Sequence, residues 1–200
     1  CSMALVLDGS NNTISGLAAG GLPANSVTAA NLHSGVWSGK IIQIQQSVKT
    51  DFWTRSETTY ADIDGTDQNG AGSIWCVKIT PSSTSSKIWV KGTVAVGGNS
   101  HGSINLWRDS TQLHFGDAHA SYGNINRTTQ QFLSGSFNVT PIALDYLDSP
   151  NTTSEVTYKL QGGTPHSASY YIYINRSHTQ ENHPYLSNCA STMTVLEVAG

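Results

Sequence analysis

From Lys87 to Gly200 apolar and polar residues alternate in short runs, and that period restricts the chain to a β architecture. Ile88, Val90, Val94 and Val96 fall on one parity, and Ile104 and Leu106 make a second run. Val156, Tyr158 and Leu160 follow, then Tyr170, Ile172 and Ile174, and last Thr194, Leu196 and Val198. Side chains change face at every residue of a strand, so each run has one face to bury and one to leave wet. The runs are separated by Gly, Pro, Asn and Ser clusters at the spacing of a sandwich or barrel. The pattern predicts strands near 40–49, 52–61, 74–80, 87–96, 103–108, 111–115, 136–147 (broken at Pro141), 155–161, 169–175 and 192–198. It predicts loops over 65–72, 97–102, 116–131 and 175–188. So many short strands in about 160 residues fit a jelly-roll-like two-sheet β-sandwich. An immunoglobulin-type sandwich is the alternative, although Cys76, Trp89 and Cys189 are wrongly spaced for it.

Charged residues are 12% of the chain, half the usual share of about 25%. A net charge of −3 gives no basic field, which argues against nucleic acid as a partner. Sparse charge also weakens the ordinary defence against edge-to-edge strand pairing, so the chain is expected to hide its edges by assembling with copies of itself. No apolar run approaches the roughly 18 residues of a membrane-spanning helix. The cysteines, Cys1, Cys76 and Cys189, match no zinc spacing. Cys76, inside Ile74-Trp75-Cys76-Val77, reads as a small buried hydrophobe, and nothing requires it to pair with Cys189.

Residues 1–39 differ from the rest. Leu5 and Leu7 begin a short extended piece, Asp8-Gly9-Ser10-Asn11-Asn12 is turn chemistry, and Thr13-Ile14-Ser15 returns. Ser26 to Leu32 suits one or two helical turns with Ser26 as the N-cap. Such a segment cannot bury a core alone, which makes 1–39 an attachment or stalk segment and 40–200 the β-sandwich domain.

Catalytic and metal-binding patterns are weak. Asp62-x-Asp64-Gly65-x-Asp67-x-Asn69-Gly70 fails the EF-hand test, because its glycine is misplaced and Ser73 stands where the bidentate Glu belongs. Seven histidines are many for this length, yet none are paired at helical spacing, and only a three-fold axis would gather one from each copy. No Gly-x-Ser-x-Gly occurs, and no two carboxylates are marked as a glycosidase pair. The sequence therefore reads as a non-enzyme with no metal and no cofactor.

Aromatic residues are better candidates, because sugar rings present C–H faces that stack on them while polar neighbours hold hydroxyls. On strands they more often fill cores or subunit interfaces. Loops over a β scaffold are where recognition concentrates. The ligand-binding candidates are accordingly His101, Trp107, His119, Tyr122, His166, His183 and Tyr185. Trp89 alternates against Ile88 and Val90, so it faces away from them. By the same parity Trp89, Tyr171 and Tyr173 are the candidates for a subunit interface.

Several phrases carry a resemblance. Met3-Ala4-Leu5-Val6-Leu7-Asp8-Gly9-Ser10 with Gly16-Leu17-Ala18-Ala19-Gly20-Gly21-Leu22-Pro23 resembles the start of virion structural proteins of marine and freshwater bacteriophages, cyanophage-like ones included. Ile79 to Ile88, Tyr146-Leu147-Asp148-Ser149-Pro150, Val156-Thr157-Tyr158-Lys159 and the ending Met193 to Gly200 resemble phrases of their C-terminal domains. The resemblance implies a tail-fibre-like virion protein with a trimeric, jelly-roll-like tip on a short adaptor. Other virion proteins would be partners through residues 3–39, and a host-surface glycan or protein through the tip. A capsid decoration protein or head fibre, and a carbohydrate-binding module, are the alternatives. The His-rich and aromatic stretches 101–123 and 163–186 depart from the shared phrases.

Overall fold

The computed structural model describes residues 6–8, 13–15, 39–67, 70–117, 126–132, 135, 137–179, 184 and 186–200. The chain divides into two units, residues 1–38 and 39–200. In the first, β1 (Val6–Asp8) pairs antiparallel with β2 (Thr13–Ser15), the out-and-back expected of that stretch. The helical turn expected over 26–32 lies outside the described residues.

The second unit is all-β, with no helix among its described residues. Its strands are β3 (Ile41–Lys49), β4 (Trp53–Arg55), β5 (Ala61–Asp62), β6 (Asp64–Asp67), β7 (Gly70–Ile74), β8 (Cys76–Ile79), β9 (Lys87–Gly98), β10 (His101–Arg108), β11 (Thr111–Leu113), β12 (Thr129–Phe132), β13 (Val139–Asp148), β14 (Val156–Gly163), β15 (Ile172–Ile174) and β16 (Ser191–Val198). Sheet 1 runs β11-β10-β14-β5, with β12 also on β10 and β8 also on β14. Sheet 2 runs β3-β16-β9-β15-β4, with β13 on the other side of β9. Every pairing is antiparallel, and β6 and β7 form a separate hairpin.

The core lies between the two sheets and follows the alternation. Ile88, Val90, Val94 and Val96 of β9 have no exposed surface, and neither do Ile104 and Leu106 of β10 or Tyr158 and Leu160 of β14. Each such aliphatic contributes roughly 1.5–3 kcal/mol of burial. Cys76 is buried, and it does not form a disulfide with Cys189.

Several expectations are corrected: the strand expected over 52–61 is two short pieces, β4 and β5, and β12 begins inside the loop expected over 116–131. In the last strand the inward parity is Met193, Val195 and Glu197, so Leu196 and Val198 face outward. Glu197 is tolerated inside because its Oε1 accepts the Ser82 N–H at 2.7 Å and hydroxyl at 2.6 Å. Of the loop expected over 65–72, residues 65–67 and 70–72 lie in the paired strands β6 and β7. Finally, Pro141 does not break β13, which runs unbroken to Asp148. Opposite it stands Ala95, whose N–H goes to Ser191 Oγ and whose carbonyl accepts from Asn175 N. Both backbone groups of Ala95 therefore point away from β13. The Ala95–Pro141 pair shares no ladder bond, and the missing N–H faces the open edge, where proline is permitted.

At one end a polar clamp joins the sheets. Asp148 of β13 accepts from Arg108 Nη1 at 2.6 Å and from the Tyr158 hydroxyl at 2.7 Å, and it is itself buried. Burial, reinforced by the bond to Asp148, pushes the Tyr158 phenol far above its usual range. In the unfolded chain that phenol ionises near pH ~10, whereas the folded one keeps its proton. Its contribution is thus fully present below pH ~10 and is lost as pH rises above it. The unfolding free energy from urea titration should fall through pH ~10–11.5, by up to about 1.4 kcal/mol per pH unit for this group, and Tyr158→Phe should flatten that slope.

Candidate functional site: a platform of rings at the sandwich tip

Two clusters of rings flank the β9–β10 turn, one at the start of β10 in sheet 1 and one at β15 on the outer face of sheet 2. His101, the first residue of β10, lies with its ring centroid 5.7 Å from that of His166 and 6.1 Å from that of Tyr170. His166 and Tyr170 are stacked, 5.7 Å apart with 15° between planes. Successive turns after β14 place them: Ser167 N donates to Thr164 O, and Tyr170 N to Ser167 O. Thr164 is fastened in turn, its N–H and hydroxyl both donating to Glu57 O at 3.1 Å. Ser100 Oγ lies 3.1 Å from His101 Nδ1 and orients that ring.

The second cluster starts at the next residue. Tyr171 N donates to Asn99 Oδ1 at 2.8 Å, which anchors the approach to β15. Tyr171 and Tyr173 have the same parity and stack at 6.0 Å and 11°. Tyr173 pairs with Gly97 in the register of sheet 2, so both tyrosines lie on that sheet's outer face. His178 packs on both rings, at 5.8 and 5.4 Å, with Nδ1 3.0 Å from the Tyr173 hydroxyl. The Arg176 guanidinium lies 4.2 Å from the centre of the Tyr173 ring. This cover leaves Tyr173 5% exposed and pushes its phenol above the usual range, burial being the main cause. Tyr171 remains 37% exposed.

The cover depends on one backbone reversal. Asn175 takes φ +68°, a left-handed conformation that asparagine tolerates better than most residues. Its amide donates to the carbonyls of Lys49 (2.8 Å) and Asp51 (3.0 Å), and its Oδ1 accepts from Ser191 Oγ. Beneath it the fully buried Lys49 ammonium meets Asp51 Oδ1 at 2.8 Å and Asp64 O at 2.5 Å. The reversal sends residues 176–178 back across Gly97.

Of the ligand-binding candidates, His101 and His166 are brought into contact. Trp107 lies on the same strand and face as His101, six residues and about 20 Å further along. It belongs to a separate region, between Gln112 and Lys159 in the register, with its indole N–H buried and unpartnered among the described residues. His119, Tyr122, His183 and Tyr185 lie outside the described residues. The interface candidates Trp89, Tyr171 and Tyr173 do share the outer face of sheet 2, but Trp89 sits at its opposite end. There its indole N–H donates to Asp145 Oδ1 at 2.6 Å and Lys91 Nζ lies 4.1 Å above its ring. The Trp89 bond first, and then the bond from Lys91 Nζ to Asp145 Oδ2 at 2.9 Å, hold the Asp145 carboxylate below its usual range. The sequence puts Tyr170 in one run with Ile172 and Ile174 and does not single out Arg176 or His178; the structure instead sets Tyr170 before β15, against His101 and His166. The parity of Tyr171 and Tyr173 was readable, but the return of His178 onto them depends on the turn at Asn175.

A stacked, partly exposed set of phenols and imidazoles can lie against the C–H face of a sugar ring and exchange hydrogen bonds with its hydroxyls. Elsewhere Asp62, first residue of the supposed cation loop, is taken up by Lys159 at 2.8 Å and Gln161 at 2.9 Å. Among the described residues no three His, Cys, Asp or Glu side chains converge on one point. The fold and site define an all-β, two-sheet domain with an aromatic and imidazole tip. No protein-family model and no curated protein matches the chain.

Proposed function

We propose that the chain is a bacteriophage virion protein that recognises the host surface non-catalytically. In this reading residues 40–200 are a jelly-roll-like tip in a homotrimer, and residues 3–39 attach it to other virion proteins. The ring platform carries the proposal. His101, His166, Tyr170, Tyr171, Tyr173 and His178 are held by side-chain and backbone bonds on a β scaffold, with Tyr171 left open to a ligand. The resemblance of its phrases to phage virion proteins supports the setting. Stacking is worth about 0.5–1.5 kcal/mol per ring, so single sites are weak and several copies per particle supply avidity.

The test is retention on purified host-surface polysaccharide. Tyr171→Ala and His166→Ala should each weaken binding roughly tenfold at a single site, and more on an intact particle. Unchanged adsorption by particles carrying both substitutions, with the protein located on the capsid lattice, would assign it to decoration instead.

A further inference from the structure

We infer that a second copy of this chain covers the outer face of sheet 2 at the end remote from the ring platform. This rests on the assembly half of the reading above and adds the surface that performs it. One row of side chains crosses four strands in register there: Leu147 of β13, Trp89 of β9, Leu196 of β16 and Ile44 of β3. Ile44 is 58% exposed and Leu147 49% exposed, and Ile41, Ile42 and Val48 beside them are also exposed. The neighbouring row carries the Lys91–Asp145 ion pair at 2.9 Å, which neutralises itself. Such a face gives a strongly charged partner little to hold and suits an apolar one.

The edges point to the occupant. Sheet 2 ends on β13, β3 and β4; at the end that carries this row the edges are β13 and β3, and among the described residues no strand pairs with the outer side of either. The β13 edge is guarded by Pro141, whose missing N–H faces outward. The β3 edge runs nine residues with no proline and no charge before Lys49. An unguarded strand of that length, beside an apolar row, is a template for another strand. A copy of the same chain arrives with both a matching uncharged strand and a matching row. Size agrees with using both. The seven residues Lys87 to Thr93 over four strands project roughly 24 by 19 Å, on the order of 450 Å². That is short of the ~800 Å² per partner of a stable interface, so the face needs the adjoining β3 edge.

The experiment is the solution mass of the full chain by sedimentation or light scattering, for wild type, Ile44→Lys and Leu147→Lys. Both positions are exposed, so the variants should keep the wild-type far-UV spectrum. The expected result is an oligomeric wild type, with association at least about a hundredfold weaker in each variant. Folded variants that keep the wild-type mass would overturn this surface and leave the assembly reading standing. A monomeric wild type would overturn both. If one variant fails to fold, the other decides.

Discussion

Replacing Asp148 by alanine should destabilise the sandwich by about 3–5 kcal/mol, among the largest effects of any single side chain here. The reason is geometric. Asp148 ends β13 in sheet 2, while its two donors, Arg108 and Tyr158, stand on β10 and β14 of sheet 1. Removing the carboxylate leaves a fully buried phenol hydroxyl without an acceptor and a largely buried guanidinium without its counter-ion. Each loses its compensation while keeping its desolvation penalty. Asp148→Asn keeps one acceptor oxygen and should cost clearly less. Urea unfolding followed by tryptophan emission measures both. An alanine variant within about 1 kcal/mol of wild type would show that water replaces the clamp and that the sheets are joined by apolar packing alone.

The clamp was not visible in the sequence, although the sheets it joins were. Alternation located β9, β10, β14 and β3 within a few residues, because a buried face imposes a period of two wherever it occurs. The same argument read β16 on the wrong parity. Both parities carry apolar residues there, Met193 and Val195 on one and Leu196 and Val198 on the other, and Glu197 on the first is made acceptable inside by tertiary bonds from Ser82. Pro141 misled for a similar reason. Its effect depends on which side of the strand lacks a partner, and sheet order is not written in local pattern. The platform was half legible. His101, His166, Tyr171 and Tyr173 could be picked out by loop position and parity, whereas Trp107 lies about 20 Å away along its strand. What brought Arg176 and His178 into the cluster is a single left-handed residue held by bonds to Lys49, Asp51 and Ser191. Those partners are distant in sequence, and no window of neighbouring residues contains them.

That dependence gives the most demanding test of the link between scaffold and site, at Gly97. A Cβ built there would lie 2.1 Å from the carbonyl oxygen of Arg176 and 3.1 Å from Ser177 Cα. These are backbone atoms, so no rotamer change relieves the clash. The segment cannot simply drift away either, since Asn175 is tied to Ala95, Lys49, Asp51, Ser191 and Cys189. Gly97→Val should therefore cost roughly 2–4 kcal/mol, through strain in β9 and displacement of residues 176–178. The displacement takes Arg176 and His178 off Tyr173, which exposes that phenol and returns it toward its ordinary ionisation. Gly116→Ala is the matched control, because nothing lies within 4 Å of a Cβ there and stability should barely change. The decisive readout is ligand retention by the fraction of Gly97→Val that still folds, compared with thermal stability. Retention lost beyond the folded fraction would show that the close strand crossing positions the platform. Full retention at lowered stability would separate Arg176 and His178 from recognition and leave it to His101, His166, Tyr170 and Tyr171.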